Sequence, residues 1–505
     1  MPQLTGGSQR VDLGAGYVIV APGLRGRADR VIAAAGELRA RDAAKPLLND
    51  VLATNGMTTV ANIEIAATPV PGAGVVAELR DAKGDGALLL EVPDLGPAAG
   101  QVVLAVDEAG ALSWHFPMEA NKIQPPDMRG AGEKKRFLIR SRVAPTPPAA
   151  EARDRALFGD IGRKLLKVLV YPVTDLLLGA PVAAIAESWE KANRAYGLRD
   201  FTPANYRQPK GAALAGADLD RLAKGRALLF IHGTFSTAHG GFCDLPPEFM
   251  TELHQRYDGR IFAFNHYSMS HDPAQNVRWF AEALGPMSAK ALELDIVCHS
   301  RGGLVARTLA EGKAAFGLDV GRANVHRVAF VGVPNHGTLL ADPDHMVEMI
   351  DRMTTALNLF PPGGVADIFE GILIGVKIIG HGALNGLSGL HSMHPTGAFM
   401  KKLNRGGRKD PQYFAVSANF EPTDPGMRSI VGRAADTLVD RVFEDAENDL
   451  VVPEFGVYGE NGCDSFPIPA DRCLRIPAAA GVMHTSMFGH PELVARLNGW
   501  LKPEA

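Results

Sequence analysis

The stretch Leu294-Asp295-Ile296-Val297-Cys298-His299-Ser300-Arg301-Gly302-Gly303 constrains this chain more than any other. An apolar run of strand length ends on a serine between polar residues, two glycines follow, and from Leu304 to Ala314 the apolar residues return at helical spacing. A strand that turns this sharply into a helix needs small residues at the turn, because the chain passes close to itself there. The strained turn also lifts the serine hydroxyl above the sheet edge, where a nucleophile has to stand. Gly302 supplies the small residue two places after Ser300, and Cys298 stands two places before it. Alone, a serine at a strand end is a turn or cap residue. Its meaning depends on what the rest of the chain can bring to it.

Upstream, Ala227-Leu228-Leu229-Phe230-Ile231 reads as a buried strand that runs into His232-Gly233-Thr234-Phe235-Ser236. Attack on an acyl group creates an oxyanion that must be met by preorganised N–H donors. A glycine-containing loop after an early strand can present one, here the Thr234 amide with the Phe235 amide as fallback, and Arg301, directly after the serine, presents the other. Without Ser300, His232-Gly233 would be a plain strand-to-loop turn. Downstream, Glu447-Asn448-Asp449-Leu450-Val451-Val452-Pro453 sets a carboxylate at the mouth of an apolar run. His484 follows in a loop ahead of an amphipathic helix predicted over Glu492 to Leu501. His484 could take the proton of Ser300 and return it to the leaving group, with Asp449 orienting the imidazole. Competing carboxylates are Asp440, Glu444 and Asp445, otherwise a solvated helix face. Competing histidines are His381, His391, His394 and His490, otherwise surface or packing residues.

These residues resemble the α/β-hydrolases of the bacterial triacylglycerol lipase and esterase type. The resemblance rests on His-Gly after the first long strand, the His-Ser-x-Gly-Gly turn, the Asn-Asp-x-Val-Val-Pro segment, and Val331-Gly332-Val333-Pro334-Asn335-His336-Gly337-Thr338 after the next strand. It covers roughly residues 225 to 503 and departs from the usual pattern at Cys298. It implies a mostly parallel sheet wrapped by helices, an order of Ser300, Asp449 and His484 along the chain, and an ester or lipid substrate. Nothing in the first 200 residues or so carries a comparable likeness.

At 505 residues and 46% hydrophobic content the chain can bury more than one core. Lys+Arg 52 against Asp+Glu 56 gives a net charge of -4 without a long basic run, so a nucleic-acid partner is not expected. Cys243, Cys298, Cys463 and Cys473 lack metal-site spacing, and only Cys463 and Cys473 are near enough in sequence to suggest a bridge. No metal or organic cofactor is implied. The opening residues show no basic region followed by an apolar core, so cytoplasmic residence is the default expectation.

Three units are expected: a β-rich accessory domain over 1–143, a linker and apolar helical segment over 144–210, and an α/β-hydrolase domain over 211–505 with a helical cap inserted at about 339–410. In the first, strands are predicted at Tyr17–Val20, Ile63–Ala66, Ala87–Val92, Val102–Val106 and Phe137–Arg140, with a hairpin over Val103 to Phe116. In the second, Lys164 to Ala186 is strongly apolar, but Lys167, Asp175, Pro172, Gly179 and Pro181 argue against a membrane span. Two short buried helices are the better reading, with an interfacial helix as the alternative. In the third, strands at Arg260–Phe264, Leu294–Val297, Val328–Val331, Tyr413–Val416 and Leu474–Ile476 alternate with helices such as Gln275–Leu284. In the cap, Val365, Ile368, Phe369, Ile372, Val376 and Ile379 recur at helical spacing, and Ile374 and Ile378 extend the apolar surface. That suits either a lid bearing on an acyl chain and lipid, or a helix buried between layers.

The reading that follows is a serine carboxylic-ester hydrolase, esterase or lipase, working through an acyl-enzyme. The alternatives are a phospholipase, acyltransferase or amidase on the same residues, or an inactive hydrolase-fold scaffold, for which Cys298 is the sequence support. Transient contact with a membrane or lipid surface is compatible with the cap.

Overall fold

The computed structural model describes residues 2–31, 46–70, 87–107, 111–118, 134–140, 162–173, 182–289, 291–341, 345–359, 361–381, 387–405, 412–420, 447–459 and 468–502. The strands are β1 (Gln3–Thr5), β2 (Arg10–Gly14), β3 (Tyr17–Val20), β4 (Leu24–Val31), β5 (Thr58–Pro69), β6 (Ala87–Pro93), β7 (Ala99–Asp107), β8 (Leu112–His115), β9 (Lys134–Arg140) and β10 (Gly162–Pro172), then β11 (Gly197–Asp200), β12 (Arg226–Ile231), β13 (Ile261–Asn265), β14 (Leu292–His299), β15 (Ala323–Val331), β16 (Gln412–Ala418) and β17 (Cys473–Ile476). The helices are α1 (Pro46–Thr54), α2 (Val182–Asn193), α3 (Ala217–Leu222), α4 (Ala238–Phe242), α5 (Pro247–Arg256), α6 (Pro273–Ala283), α7 (Gly302–Phe316), α8 (Met346–Leu359), α9 (Val365–Gly380), α10 (Ser388–His391), α11 (Ala398–Arg405), α12 (Phe455–Tyr458) and α13 (Pro491–Trp500).

The expected N-terminal strands all form, and β7 pairs with β8 as the predicted hairpin, Val103 opposite His115. They belong to an antiparallel sandwich of a six-stranded sheet, order β1-β4-β5-β10-β7-β8, and a four-stranded sheet, order β2-β3-β6-β9. Alternation assigns the faces of the larger sheet. Val103, Ala105, Leu166 and Val168 join Ile19, Leu90 and Phe137 in the core between the two sheets. Val102, Leu104, Val106, Leu169 and Tyr171 turn the other way, into a second core shared with α8, α9 and the α/β unit. The central strands β7 and β10 are therefore covered on both faces.

That burial corrects the expectation for Lys164 to Ala186. Lys164 to Pro172 belongs to β10, paired with β5 on one side and β7 on the other, and Val182 to Ala186 opens α2. A strand buried on both faces loses the alternating pattern and reads as an unbroken apolar run, which is how a helix was inferred. Lys167, 5% exposed, is held within the strand by a hydrogen bond to Asn49 Oδ1 at 2.9 Å. The accessory module thus runs past residue 143 to take in β10, and the α/β unit starts ahead of 211 with β11. The linker at 144–148 lies outside the described residues.

The second unit is a seven-stranded sheet in the order β11-β13-β12-β14-β15-β16-β17. All its pairs are parallel except β11 with β13. The expected strands and the helices α6, α7 and α13 are in place. α6 begins on a capping box, Asp272 accepting from the Gln275 N–H and the Gln275 side chain from the Asp272 N–H. β14 is central, so the turn after it opens at the middle of the carboxyl edge, where open parallel sheets gather their functional groups.

α8 and α9 lie within the interval 339–410. α9 is apolar on several faces because it is buried on several: Ile368, Phe369, Ile372, Leu373, Ile374, Val376, Ile378 and Ile379 are all buried. Gly371 packs on the backbone of Phe235 in the α/β unit, and Gly380 on Tyr171 and Val102 of the sandwich. Burial between layers accounts for its all-round apolar pattern, while Ile368 in its first turn also lines the cavity that Ser300 faces. No helix among the described residues is long and apolar enough to cross a membrane.

Candidate functional site

Ser300 stands at the end of β14 with φ 51°, a conformation rare for a residue with a side chain. Its amide donates to Val331 O at 2.9 Å and its carbonyl accepts from Gly303 N–H at 2.9 Å, so the bend is held on both sides. A Cβ on Gly302 would lie 2.3 Å from His232 O and 2.5 Å from Ile231 O. Only glycine lets α7 begin this close to β12. Cys298 is fully buried, and its Sγ–H donates to Ala329 O at 3.4 Å on β15. The position two before the serine therefore has room for a thiol directed at the neighbouring strand. Burial pushes that thiol's pKa well above its ordinary value.

The loop after β12 comes against the serine through Gly233, where a Cβ would lie 2.7 Å from Ser300 Cβ and 3.2 Å from His299 O. Two bonds fix the tautomer of His232: Nδ1–H donates to Gly233 O at 2.9 Å, and Nε2 accepts from His266 N–H at 3.2 Å. Burial lowers the His232 pKa to about 4, so the ring stays neutral. A planar trans peptide sends its C=O and the following N–H in opposite directions. Holding the Gly233 carbonyl thus aims the Thr234 N–H the other way. The Phe235 amide, the fallback donor, is already bonded to Ser268 Oγ at 3.2 Å. The Thr234 and Arg301 amides meet no acceptor among the described residues.

The side chain of Arg301, fully buried, leads away from the turn: Nε donates to Gly389 O at 2.8 Å, and Nη2 donates to His271 O and to Asn276 Oδ1. Desolvation lowers its pKa to about 10, which leaves it charged. Glu190 supports the same region. It accepts from the Ser268, Met269 and Ser270 amides at 2.7, 3.0 and 3.0 Å, and so fixes the turn that carries Ser268. Glu190 lies on α2 and gave no signal in the sequence beyond an amphipathic stretch.

Asp449 and His484 meet. His484 Nδ1 is 2.8 Å from Asp449 Oδ2, and the His484 amide donates to Asp449 O at 3.0 Å. The other carboxylate oxygen accepts from Val451 N–H at 3.0 Å and Val452 N–H at 2.7 Å. Asp449 and His484 are 1% and 3% exposed, so these bonds act in a water-poor setting. The carboxylate has no donor of its own, so Nδ1 carries the proton and Nε2 is left as a base. Gly332, φ 57°, lets β15 end against the pair: a Cβ there would lie 3.1 Å from His484 Nδ1 and 3.2 Å from Asp449 Oδ2. The glycine was visible in the sequence as part of a lipase-like segment, but its steric duty was not.

His299, fully within the quoted segment yet given no role by the sequence, adds a further tie. Its Nε2–H donates to His484 O at 2.9 Å, and burial lowers its pKa to about 3, which keeps it neutral. Ser300 and His484 face a common cavity with Thr234; Ser236, His299, Thr338 and Thr485 add polar groups to its wall, and Met349, Met353, Ile368, Met393, Val451 and Val452 supply the apolar part. His381, His391, His394 and His490 do not line it. Asp440, Glu444, Asp445 and Cys463 lie outside the described residues. No cluster of metal-ligating side chains occurs among the described residues.

Residues 193–502 match the model of a family described as a domain of unknown function, DUF7379. The chain belongs to this family. The matched span takes in β11 and, Glu190 excepted, every residue of the site just described, and leaves the sandwich outside it. No curated protein matches the chain. Among solved structures, the mature lipase BlEst2 of Bacillus licheniformis is similar at 18% identity and a TM-score of 0.31, over 54% of this chain and 91% of that one. Phospholipase PlaB from Legionella pneumophila is similar at 15% identity and TM-score 0.30, over 45% and 44%. EstA from Clostridium botulinum is similar at 12% identity and TM-score 0.35, over 59% and 97%.

Proposed function

We propose that this DUF7379 protein is a serine carboxylic-ester hydrolase of the α/β-hydrolase type, acting through an acyl-enzyme. The observation that carries the reading is the convergence of a positive-φ serine with a buried, carboxylate-oriented histidine on one cavity. Ser300 attacks the ester carbonyl while His484 Nε2 takes its proton. The imidazolium that forms is stabilised by Asp449 and gives the proton to the leaving alcohol. The Thr234 and Arg301 amides receive the oxyanion, and water activated by His484 then releases the acid. No step calls on a metal or organic cofactor. Cys298, the departure from the usual pattern, is accommodated by burial against β15.

The mostly apolar lining suits an acyl group rather than a charged one. Hydrolysis of p-nitrophenyl esters of increasing acyl length, by the intact chain and by Ser300→Ala, tests the proposal. Activity present in the first and lost in the second supports it. Equal activity in both, or none in the intact chain at any length, refutes it.

A further inference from the structure

The two faces of α8 make contacts of different kinds. Met349 and Met353, one turn apart, line the cavity with Ser300. Asp351, Thr354 and Thr355 lie on the opposite side of the helix, and all three side chains are bonded to the sandwich. Asp351 Oδ1 accepts from the Trp114 amide at 2.7 Å, and Thr354 Oγ1 from Trp114 Nε1–H at 3.1 Å. Thr355 Oγ1 accepts from Leu112 N–H at 2.9 Å and donates to Leu112 O at 3.1 Å. β8 is an edge of its sheet, and Thr355 satisfies the main chain of that edge as another strand would.

These bonds are directional, so a slide or roll of α8 would break them together. Apolar packing alone would fix the helix less strictly. The helix α9 is tied to the same body, Tyr171 OH donating to Lys377 O at 3.0 Å. The cavity under α8 has only about 20 Å³ open to the centre of a water molecule. That is room for one or two waters, so the position of the two methionines decides how much of an acyl group can enter.

We propose that the N-terminal sandwich sets the acyl-length limit of the site, by holding α8 where Met349 and Met353 close it, although no sandwich residue lines the cavity. Thr355 and Trp114 are positioning residues acting through Met353 and Met349. The inference rests on the ester-hydrolase reading for its substrate class, and not for the mechanical link itself.

The test compares the full chain with Thr355→Val, which keeps the shape of the side chain and loses both bonds to Leu112, and with Thr355→Ser, which can keep them. Trp114→Phe, which loses one bond, serves if the valine variant does not fold. Two readouts are taken: hydrogen exchange over residues 346–359, and the ratio of kcat/KM for p-nitrophenyl octanoate to that for the acetate. The expected result is faster exchange in α8 and a rise of about five-fold or more in the ratio for Thr355→Val, with Thr355→Ser near the parent. An unchanged ratio, or unchanged exchange in α8, in a folded variant overturns the proposal. If the intact chain hydrolyses neither ester, the catalytic reading fails while the exchange still decides whether the sandwich fixes α8.

Discussion

Asp449→Asn separates orientation of the histidine from mere burial of a polar group. In the structure one carboxylate oxygen accepts from the Val451 and Val452 amides at 3.0 and 2.7 Å, and the other faces His484 Nδ1 at 2.8 Å. An asparagine of the same shape keeps its carbonyl on the two amides, because only an acceptor can sit there. Its NH2 group then faces His484 Nδ1, and two donors cannot share that bond. The imidazole has to move its proton to Nε2, which leaves no base toward Ser300. The same exchange in another Ser-His-Asp triad lowers kcat by about 10⁴. At ~1.36 kcal/mol per tenfold, that is about 5.4 kcal/mol of transition-state stabilisation. The assay is kcat on a p-nitrophenyl ester near neutral pH, with circular dichroism and Tm recorded on the same preparations. Retained Val451 and Val452 bonds should leave the fold and the loop intact. A fall in kcat of less than about tenfold in a folded variant would refute the reasoning, since a wrong tautomer cannot be that mild.

Other expectations follow from the same contacts. His299→Phe keeps an aromatic ring and removes the donor to His484 O; a buried acceptor left unpaired costs about 1–3 kcal/mol, and kcat should fall about 10-fold to 100-fold as His484 loses its anchor, measured by steady-state kinetics. Gly332→Ala would place a methyl 3.1 Å from His484 Nδ1 at a backbone φ of 57°, so kcat should drop with little change in KM. Burial first, and a carboxyl–carboxyl bond with Glu447 second, raise the pKa of Glu454 to about 7, beside Tyr458 and Arg475. A raised acid pKa means the folded state holds a proton the unfolded chain has lost. Stability from this group is therefore full below the usual glutamate range and lost as pH rises through about 7. Tm should fall from about pH 5 to about pH 7 and level off above that, and Glu454→Gln should flatten that fall.

The groups assigned to catalysis were legible because each is written in a few consecutive residues. A strand, a serine and two glycines specify the bend at Ser300, and a strand running into His232-Gly233 specifies the loop beside it. The helix α9 was legible for the same local reason, a run of aliphatics at period 3.6. What made it apolar all round was not legible, since its partners Tyr171 and Phe235 come from different units. β10 was misread because a strand covered on both faces looks like any buried run. β11, with Leu198-Arg199-Asp200 and one glycine, is too short and polar to read as a strand. Glu190, Ser268 and the Trp114–Asp351 pair act across long sequence separations. Only the folded topology puts them together.

The most direct measurement is the site of attack by a fluorophosphonate probe. The folded chain is treated with the probe, digested, and its peptides read by mass spectrometry, with Ser300→Ala and Asp449→Asn treated alongside. The account requires a single stoichiometric adduct on the peptide carrying Ser300, absent in Ser300→Ala and much slower in Asp449→Asn. No adduct on the folded chain, or an adduct on another residue that forms equally in all three proteins, would contradict it.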